Sequence, residues 1–250
     1  MSGAARLFAF FAVLLALLLP LVCWSEEKVQ TEEMIGRFGG RSALLYLHSR
    51  QRADGSWQMT GEYIVLPTLV RRYLDGERGP ELGITTLKEG TSPILFGHPA
   101  TGELQGVLRE GTFKGTRYGP GGQERERFEF TDGFPSMEGY DASVHCDVGD
   151  ERYASRLDYQ VEKGRLKSFE WRSKVGSNKQ SCRLRAERQE PLKGGLKFVA
   201  GTCAVTLRDL GEFVKVAPEG CAAQCASEAY LEPVLVDRRG RCMLLRPEAR

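Results

Sequence analysis

Residues 43–66 read ALLYLHSRQRADGSWQMTGEYIVL, an apolar run, a polar turn and an apolar return. Ala43 to His48 is rich in leucine and tyrosine, as a strand is, and Trp57 to Leu66 forms a second such stretch. Between them Asp54-Gly55 is a hairpin dipeptide, because both turn positions tolerate positive φ. Gly61, inside the returning segment, predicts a bulge or a bend. The same rhythm continues outward. Leu82 to Leu87 and Glu103 to Leu108 read as strands, and Thr112 to Tyr118 and Glu124 to Phe130 flank the turn Gly119-Pro120-Gly121-Gly122. Phe128 and Phe130 alternate with Arg127 and Glu129, so one face is apolar and the other charged. Strands joined by short turns pair antiparallel, since parallel neighbours need long crossovers. A meander of this length hides its edges by curling into a barrel or a strongly bent sheet. The expected fold is all-β: an antiparallel meander or barrel-like domain over 26–134, followed by smaller disulfide-linked β units.

Phe134-Pro135 through Gly139 marks the first boundary. Ser143 to Val148, Tyr153 to Val161, Leu166 to Lys174 and Ser181 to Glu187 then predict a small four-stranded unit over 139–190. Glu190 to Gly195 reads as a linker or long turn. Over 196–250 a cysteine-bearing β module is expected, with strands at Lys197 to Leu207, Glu212 to Val216, Pro233 to Val236 and Arg241 to Leu245.

The start of the chain speaks to compartment. Arg6 leads into the apolar run Leu7 to Val22, and Cys23, Ser25 and Glu26-Glu27 follow. A basic start, a short apolar stretch and a small residue before a polar chain predict a signal peptide over 1–25. The expected location is the periplasm or the exterior, with no membrane span after cleavage. An uncleaved anchor is the open alternative, although the run is short against a span of about 20 residues. Val22 stands where a lipoprotein signal needs a small residue, which argues against a lipid on Cys23.

Cleavage leaves Cys146, Cys182, Cys203, Cys221, Cys225 and Cys242, and an even count in an exported chain predicts disulfides. Cys146 and Cys182, in the first and last strands of the middle unit, are expected to pair. Cys221 and Cys225 are close enough to bond across one turn, which leaves Cys203 with Cys242. Zinc is not expected: the one close cysteine pair has three residues between its members, and no histidine follows His145.

Composition narrows the function classes. Thirty-five Lys and Arg against 33 Asp and Glu give a net charge of +2, too balanced for a dedicated nucleic-acid binder. No helix follows any glycine cluster, so a phosphate-binding loop is not expected. Neither a Gly-x-Ser-x-Gly elbow nor a His-Glu-x-x-His motif occurs, and His48, His98 and His145 lie in unrelated contexts. His48 and His145 read as hydrogen-bonded structural histidines. No catalytic residue, cofactor or metal is assigned, and the chain is read as a non-enzyme.

Two resemblances sharpen this. Ser42 to Tyr63, with the glycine-spaced segments Gly102 to Gly106 and Gly111 to Gly115, resembles a β-meander of uncharacterised secreted bacterial proteins, which implies a secreted barrel-like domain. Cys203-Ala-Val-Thr-Leu, Phe213-Val-Lys-Val and Gly220-Cys221 to Cys225 resemble a short cysteine-bearing module of bacterial envelope proteins, some of them lysozyme-inhibitor-like. Cys146-Asp147, Tyr159 and Cys182 resemble elements of the membrane-bound type of lysozyme inhibitor, although that family's loop rich in tyrosine and tryptophan is missing.

The leading functional expectation is a non-catalytic exported envelope protein that acts by binding or inhibition, with an external protein such as a lysozyme as partner. A lysozyme cleft carries two carboxylates, at least one of them ionised. The turn Ser173 to Lys179 offers cations and hydroxyls against them through Ser173, Lys174, Ser177 and Lys179. A solvated polar turn is the plainer reading of the same residues. The second expectation is a lipocalin-like carrier of a small apolar ligand, with Leu44, Tyr46, Trp57, Tyr63, Ile64 and Leu66 lining the cavity. The same residues fill a dry core equally well.

Overall fold

The computed structural model describes residues 28–79, 83–93, 97–176, 180–225 and 231–245. The expected signal segment 1–25, with its cleavage point, lies outside the described residues, as do Ser177 and Lys179.

Eight antiparallel strands form a closed barrel in sequence order. They are β1 (Val29–Phe38), β2 (Arg41–Gln51), β3 (Trp57–Val65), β4 (Val70–Arg78), β5 (Ile84–Gly90), β6 (Gly102–Arg109), β7 (Thr112–Tyr118) and β8 (Arg125–Thr131). β1 closes the barrel against β8 over the register Ile35↔Thr131 to Phe38↔Phe128. The meander and its curling are as the sequence predicts. Two strands were not expected. β1 (VQTEEMIGRF) and β4 (VRRYLDGER) carry dense charge, and Asp75-Gly76 resembles a turn dipeptide yet lies within a strand.

Alternation sorts the barrel's side chains. Met34, Leu45, Leu47, Met59, Leu87, Leu104, Phe113 and Phe130 are fully buried in its interior cluster. Glu77, Lys88, Lys114, Arg127 and Glu129 are exposed outside, the reverse of a barrel whose outer face meets lipid. Gly61 makes no bulge, for the β2–β3 register runs unbroken past it. It allows close approach instead: a Cβ there would lie 2.1 Å from the Tyr46 carbonyl oxygen. Gly115 does the same against the Gln105 carbonyl, also at 2.1 Å. Such contacts tighten the coil of the sheet so that its own side chains fill it.

The remaining strands make two sheets. β9 (Ala142–Gly149), β10 (Tyr153–Glu162), β11 (Arg165–Val175) and β12 (Gln180–Arg185) form a four-stranded sheet in the order β12-β11-β10-β9. A six-stranded sheet follows: β13 (Arg188–Glu190), β14 (Leu196–Ala200), β15 (Cys203–Asp209), β16 (Phe213–Glu219), β17 (Val234–Asp237) and β18 (Cys242–Leu244). Lys197 to Leu207, read as one strand, is a hairpin, with Gly201 at φ 62° in its turn. Glu190, read as part of a linker, pairs with Lys197.

These two sheets share one core. Leu157, Tyr159, Phe169, Trp171 and Leu184 from the first meet Phe198, Val205, Leu207, Val214, Val216 and Val234 from the second. The Trp171 indole N–H donates to Ser155 Oγ at 2.7 Å, which satisfies a donor buried in that core. The strands β9 to β12 and β13 to β18 therefore build one double-layered body.

All six described cysteines are bonded, but in another pattern from the one expected. The bridges are Cys146–Cys242, Cys182–Cys225 and Cys203–Cys221. The Cys146–Cys182, Cys221–Cys225 and Cys203–Cys242 pairings are thus corrected. They assumed that each unit closes on itself, whereas stacking the sheets brings β9 against β18.

The six-stranded sheet is covered on its other face as well. Phe213, Leu235, Leu210 and Leu245 pack on Leu44, Ile64 and Leu66 from the outside of the barrel. Burial on both faces explains why β15 and β17 read as nearly unbroken apolar runs. Beside this seam Lys215 bonds to Glu33 and to Tyr46 Oη, the latter at 3.0 Å. The molecule is layered as barrel, six-stranded sheet and four-stranded sheet, which leaves the outer face of the last uncovered among the described residues. Among the described residues, no helix is long and apolar enough to cross a membrane.

A basic sheet face as candidate functional site

The strands β10 and β11 alternate strictly enough to sort their side chains. Tyr153, Ser155, Leu157, Tyr159 and Val161 turn inward with Phe169, Trp171 and Ser173. The charged residues between them must then point outward. Antiparallel pairing lines them up across the sheet. One row runs Asp147, Arg156, Arg172, Arg183 from β9 to β12, and the next runs His145, Asp158, Glu170, Arg185. A third row holds Gly149, Ala154, Lys174 and Ser181.

On these rows five cations face three carboxylates. Glu170 gathers three of the cations: Arg172 Nη2 donates to it at 2.8 Å, Arg185 Nε at 3.3 Å, and Arg183 Nε donates as well. Those hydrogen bonds, from Arg172 first and then Arg183, pull the Glu170 carboxyl down to about 2. One carboxylate thus orders three guanidinium groups and leaves them in excess. The Arg172, Arg183 and Arg185 side chains stay 50%, 50% and 67% exposed, so their remaining N–H groups face solvent. Arg156 is held from the other side, by Asp158 Oδ2 at 3.2 Å and His145 Nε2 at 3.3 Å. His145 Nδ1 in turn bonds Asp158. The face is hollow, with an open concavity of ≈ 700 Å³ whose lining includes Asp147, Ala154, Arg156, Arg172, Lys174 and Arg183.

The expected contact residues are divided by this geometry. Lys174 lies exposed on the third row. Ser173 is 2% exposed and faces the core, so it is removed from the contact set. Alternation in β11 forces that outcome, since neighbours in a strand point to opposite faces. The arginines of the rows were legible only as solvated charge. Folding the strands back on one another in the sequence would have aligned them, because hairpin register places Arg156 beside Arg172 and Arg172 beside Arg183.

The residues proposed to line a carrier cavity are divided too. Trp57 and Tyr63 belong to the barrel interior, whereas Leu44, Ile64, Leu66 and Tyr46 lie outside it, under the six-stranded sheet. At one mouth of the barrel Glu89 is fully buried and receives Arg117 Nε at 2.7 Å, Tyr63 Oη at 2.6 Å and Thr101 Oγ1 at 3.1 Å. Burial alone would raise the Glu89 carboxyl, and the bonds from Arg117 and Tyr63 outweigh it and hold it below its ordinary value. Every donor there is engaged, which makes the cluster a plug. Among the described residues no group of three or more His, Cys, Asp or Glu is gathered to hold a metal ion. His48 Nδ1 pairs with Thr31 Oγ1 at 3.1 Å across the β1–β2 register, and His98 lies in the loop before β6.

Against known proteins, no family model, no curated protein and no solved structure matches this chain. The chain is an all-β protein with an eight-stranded barrel followed by disulfide-linked sheets.

Proposed function

We propose that this chain is a non-catalytic binding protein of the periplasm or cell exterior, working through the basic outer face of its four-stranded sheet. The observation that carries the reading is the excess of ordered, half-exposed arginines in two adjacent rows of a concave face. Guanidinium groups present planar N–H forks that match carboxylate and other oxyanions, so the face selects an anionic partner. Export rests on Arg6 and the apolar run that follows it. Inhibition of a lysozyme is the rival form of this reading, in which Lys174 and the arginine rows would meet the ionised carboxylates of the cleft.

The test uses the full mature chain with its disulfides intact. Binding to lysozymes and to immobilised acidic ligands is measured for the parent and for Arg156→Gln/Arg172→Gln/Arg183→Gln. Saturable binding to an anionic partner that the row variant loses is the expected result. Binding that survives the variant unchanged places the working surface elsewhere and overturns the proposal.

A further inference from the structure

We infer that the ligand gripped by this face is a linear acidic polysaccharide, laid across the strands along Arg156, Arg172 and Arg183. The inference rests on the binding reading above and names its ligand class.

Three features of the face select that class. The first is spacing. Neighbouring strands lie about 4.8 Å apart, so the row from β10 to β12 plants three arginines along roughly 10 Å of sheet, their guanidinium groups drawn toward Glu170 and Asp158 of the next row. That line runs perpendicular to the strands and ends in open solvent past Arg183 and Arg185, which are both exposed. A polymer with charges at intervals can follow the whole line, whereas a single small anion would engage only the two or three forks that converge on one point, as Glu170 does.

The second is the chemistry that the rows omit. They contain no Phe, Tyr, Trp, Leu, Ile or Val, their largest apolar side chain is Ala154, and the Val148 and Tyr153 that also line the concavity pack toward the core. Folded proteins are held chiefly by Trp, Tyr and Arg anchors desolvated in well-packed pockets, whereas the arginines here stay half exposed with no aromatic side chain on their rows. Single-stranded nucleic acid is held by bases stacked on aromatic side chains. Neither has an anchor here, while a chain of carboxylated or sulfated sugars needs only the charges and hydrogen-bond donors present.

The third is preorganisation. Glu170 and Asp158 hold Arg172, Arg183, Arg185 and Arg156 by side-chain hydrogen bonds before any ligand arrives. Each guanidinium carries five N–H donors in a fixed fork, so the internal bond leaves the outward ones available. Flexible side chains ordered in advance lose less entropy on binding.

The experiment measures affinity of the full oxidised chain for heparin and for polygalacturonate, beside neutral dextran, polyglutamate and oligothymidylate. Both acidic polysaccharides are expected to bind and dextran is not. Affinity should fall about tenfold or more between roughly 50 and 200 mM salt, as release of counter-ions at several ion pairs requires. Arg156→Gln/Arg172→Gln/Arg183→Gln should lose most of the binding, and Arg156→Gln alone a part of it, so that a folding defect in the triple variant would not obscure the result. Lys88→Gln/Lys114→Gln/Arg127→Gln, on the barrel exterior, should bind as the parent does. Stronger binding of polyglutamate or oligothymidylate through the same arginines would overturn the ligand class and leave the binding face standing. Binding of no anion at all would remove both.

Discussion

Cys146 on β9 is bonded to Cys242 on β18, across 96 residues of sequence. The bridge ties the edge of the four-stranded sheet to the edge of the six-stranded one, and so holds the two layers in the stack that buries Trp171 and Phe198. Disulfides that close long loops restrict the unfolded chain most, by roughly 4–5 kcal/mol for a loop near 100 residues. Replacing Cys146 and Cys242 together by serine should therefore lower stability by a few kcal/mol in urea titration. Peptide mapping without reduction should recover Cys146–Cys242, Cys182–Cys225 and Cys203–Cys221; a Cys146–Cys182 peptide would contradict the stacking.

Inside the barrel, Glu89 and Arg117 are an ion pair with the carboxylate fully buried and the guanidinium nearly so. Removing Glu89 leaves the Arg117 guanidinium with only the longer contacts to Glu124 at 3.5 Å and Glu126 at 3.7 Å, and Tyr63 Oη without its acceptor, which should cost about 1–3 kcal/mol. Glu89→Ala should show that loss as a lower urea midpoint. The double variant Glu89→Met/Arg117→Met should regain much of it, because no buried charge is then left alone.

The same carboxylate gives the barrel a pH dependence of known sign. Its folded value lies below the ordinary 4.5, so the stabilisation it brings is fully present above 4.5 and is lost as pH falls through the depressed folded value. Comparing urea midpoints of the parent and Glu89→Gln at neutral and acid pH should show their difference shrinking on acidification. An unchanged difference would mean that Glu89 is not ionised at neutral pH.

Lys215 secures the seam between barrel and sheets. Burial would lower its ammonium pKa, and Tyr46 and Glu33 outweigh that and keep it charged. Lys215→Ala removes the bond to the half-buried Glu33 and should cost about 1–3 kcal/mol. Limited proteolysis should then cut the connection at 132–141 faster than in the parent, with both bodies surviving as fragments.

Most of the barrel was legible because its strands obey local rules. Asp54-Gly55 does turn the chain, with Gly55 at φ 83°, and the Phe128 and Phe130 alternation does mark the inside. β1 and β4 escaped because closing a barrel recruits charged strands, whose pairing depends on distant neighbours and not on their own composition. The cysteine pattern escaped for the same reason: Cys146 and Cys242 meet only once two sheets stack. Leu44 and Leu45 are both fully buried, which alternation within one sheet does not explain. Leu45 fills the barrel and Leu44 the seam, so the run of leucines recorded a second packing face whose partner lies far along the chain. At the candidate site Lys174 could be singled out from a turn, but the arginine rows exist only in the register of four strands.

The claim that the basic sheet face is the working surface is tested most directly by following arginine Nε–Hε resonances of the oxidised protein as heparin fragments are added. Signals of Arg156, Arg172 and Arg183 should move saturably and together, while Arg37, Arg109 and Arg125 on the exposed barrel surface stay in place. Movement centred on the barrel arginines, with the sheet row unchanged, would contradict the account.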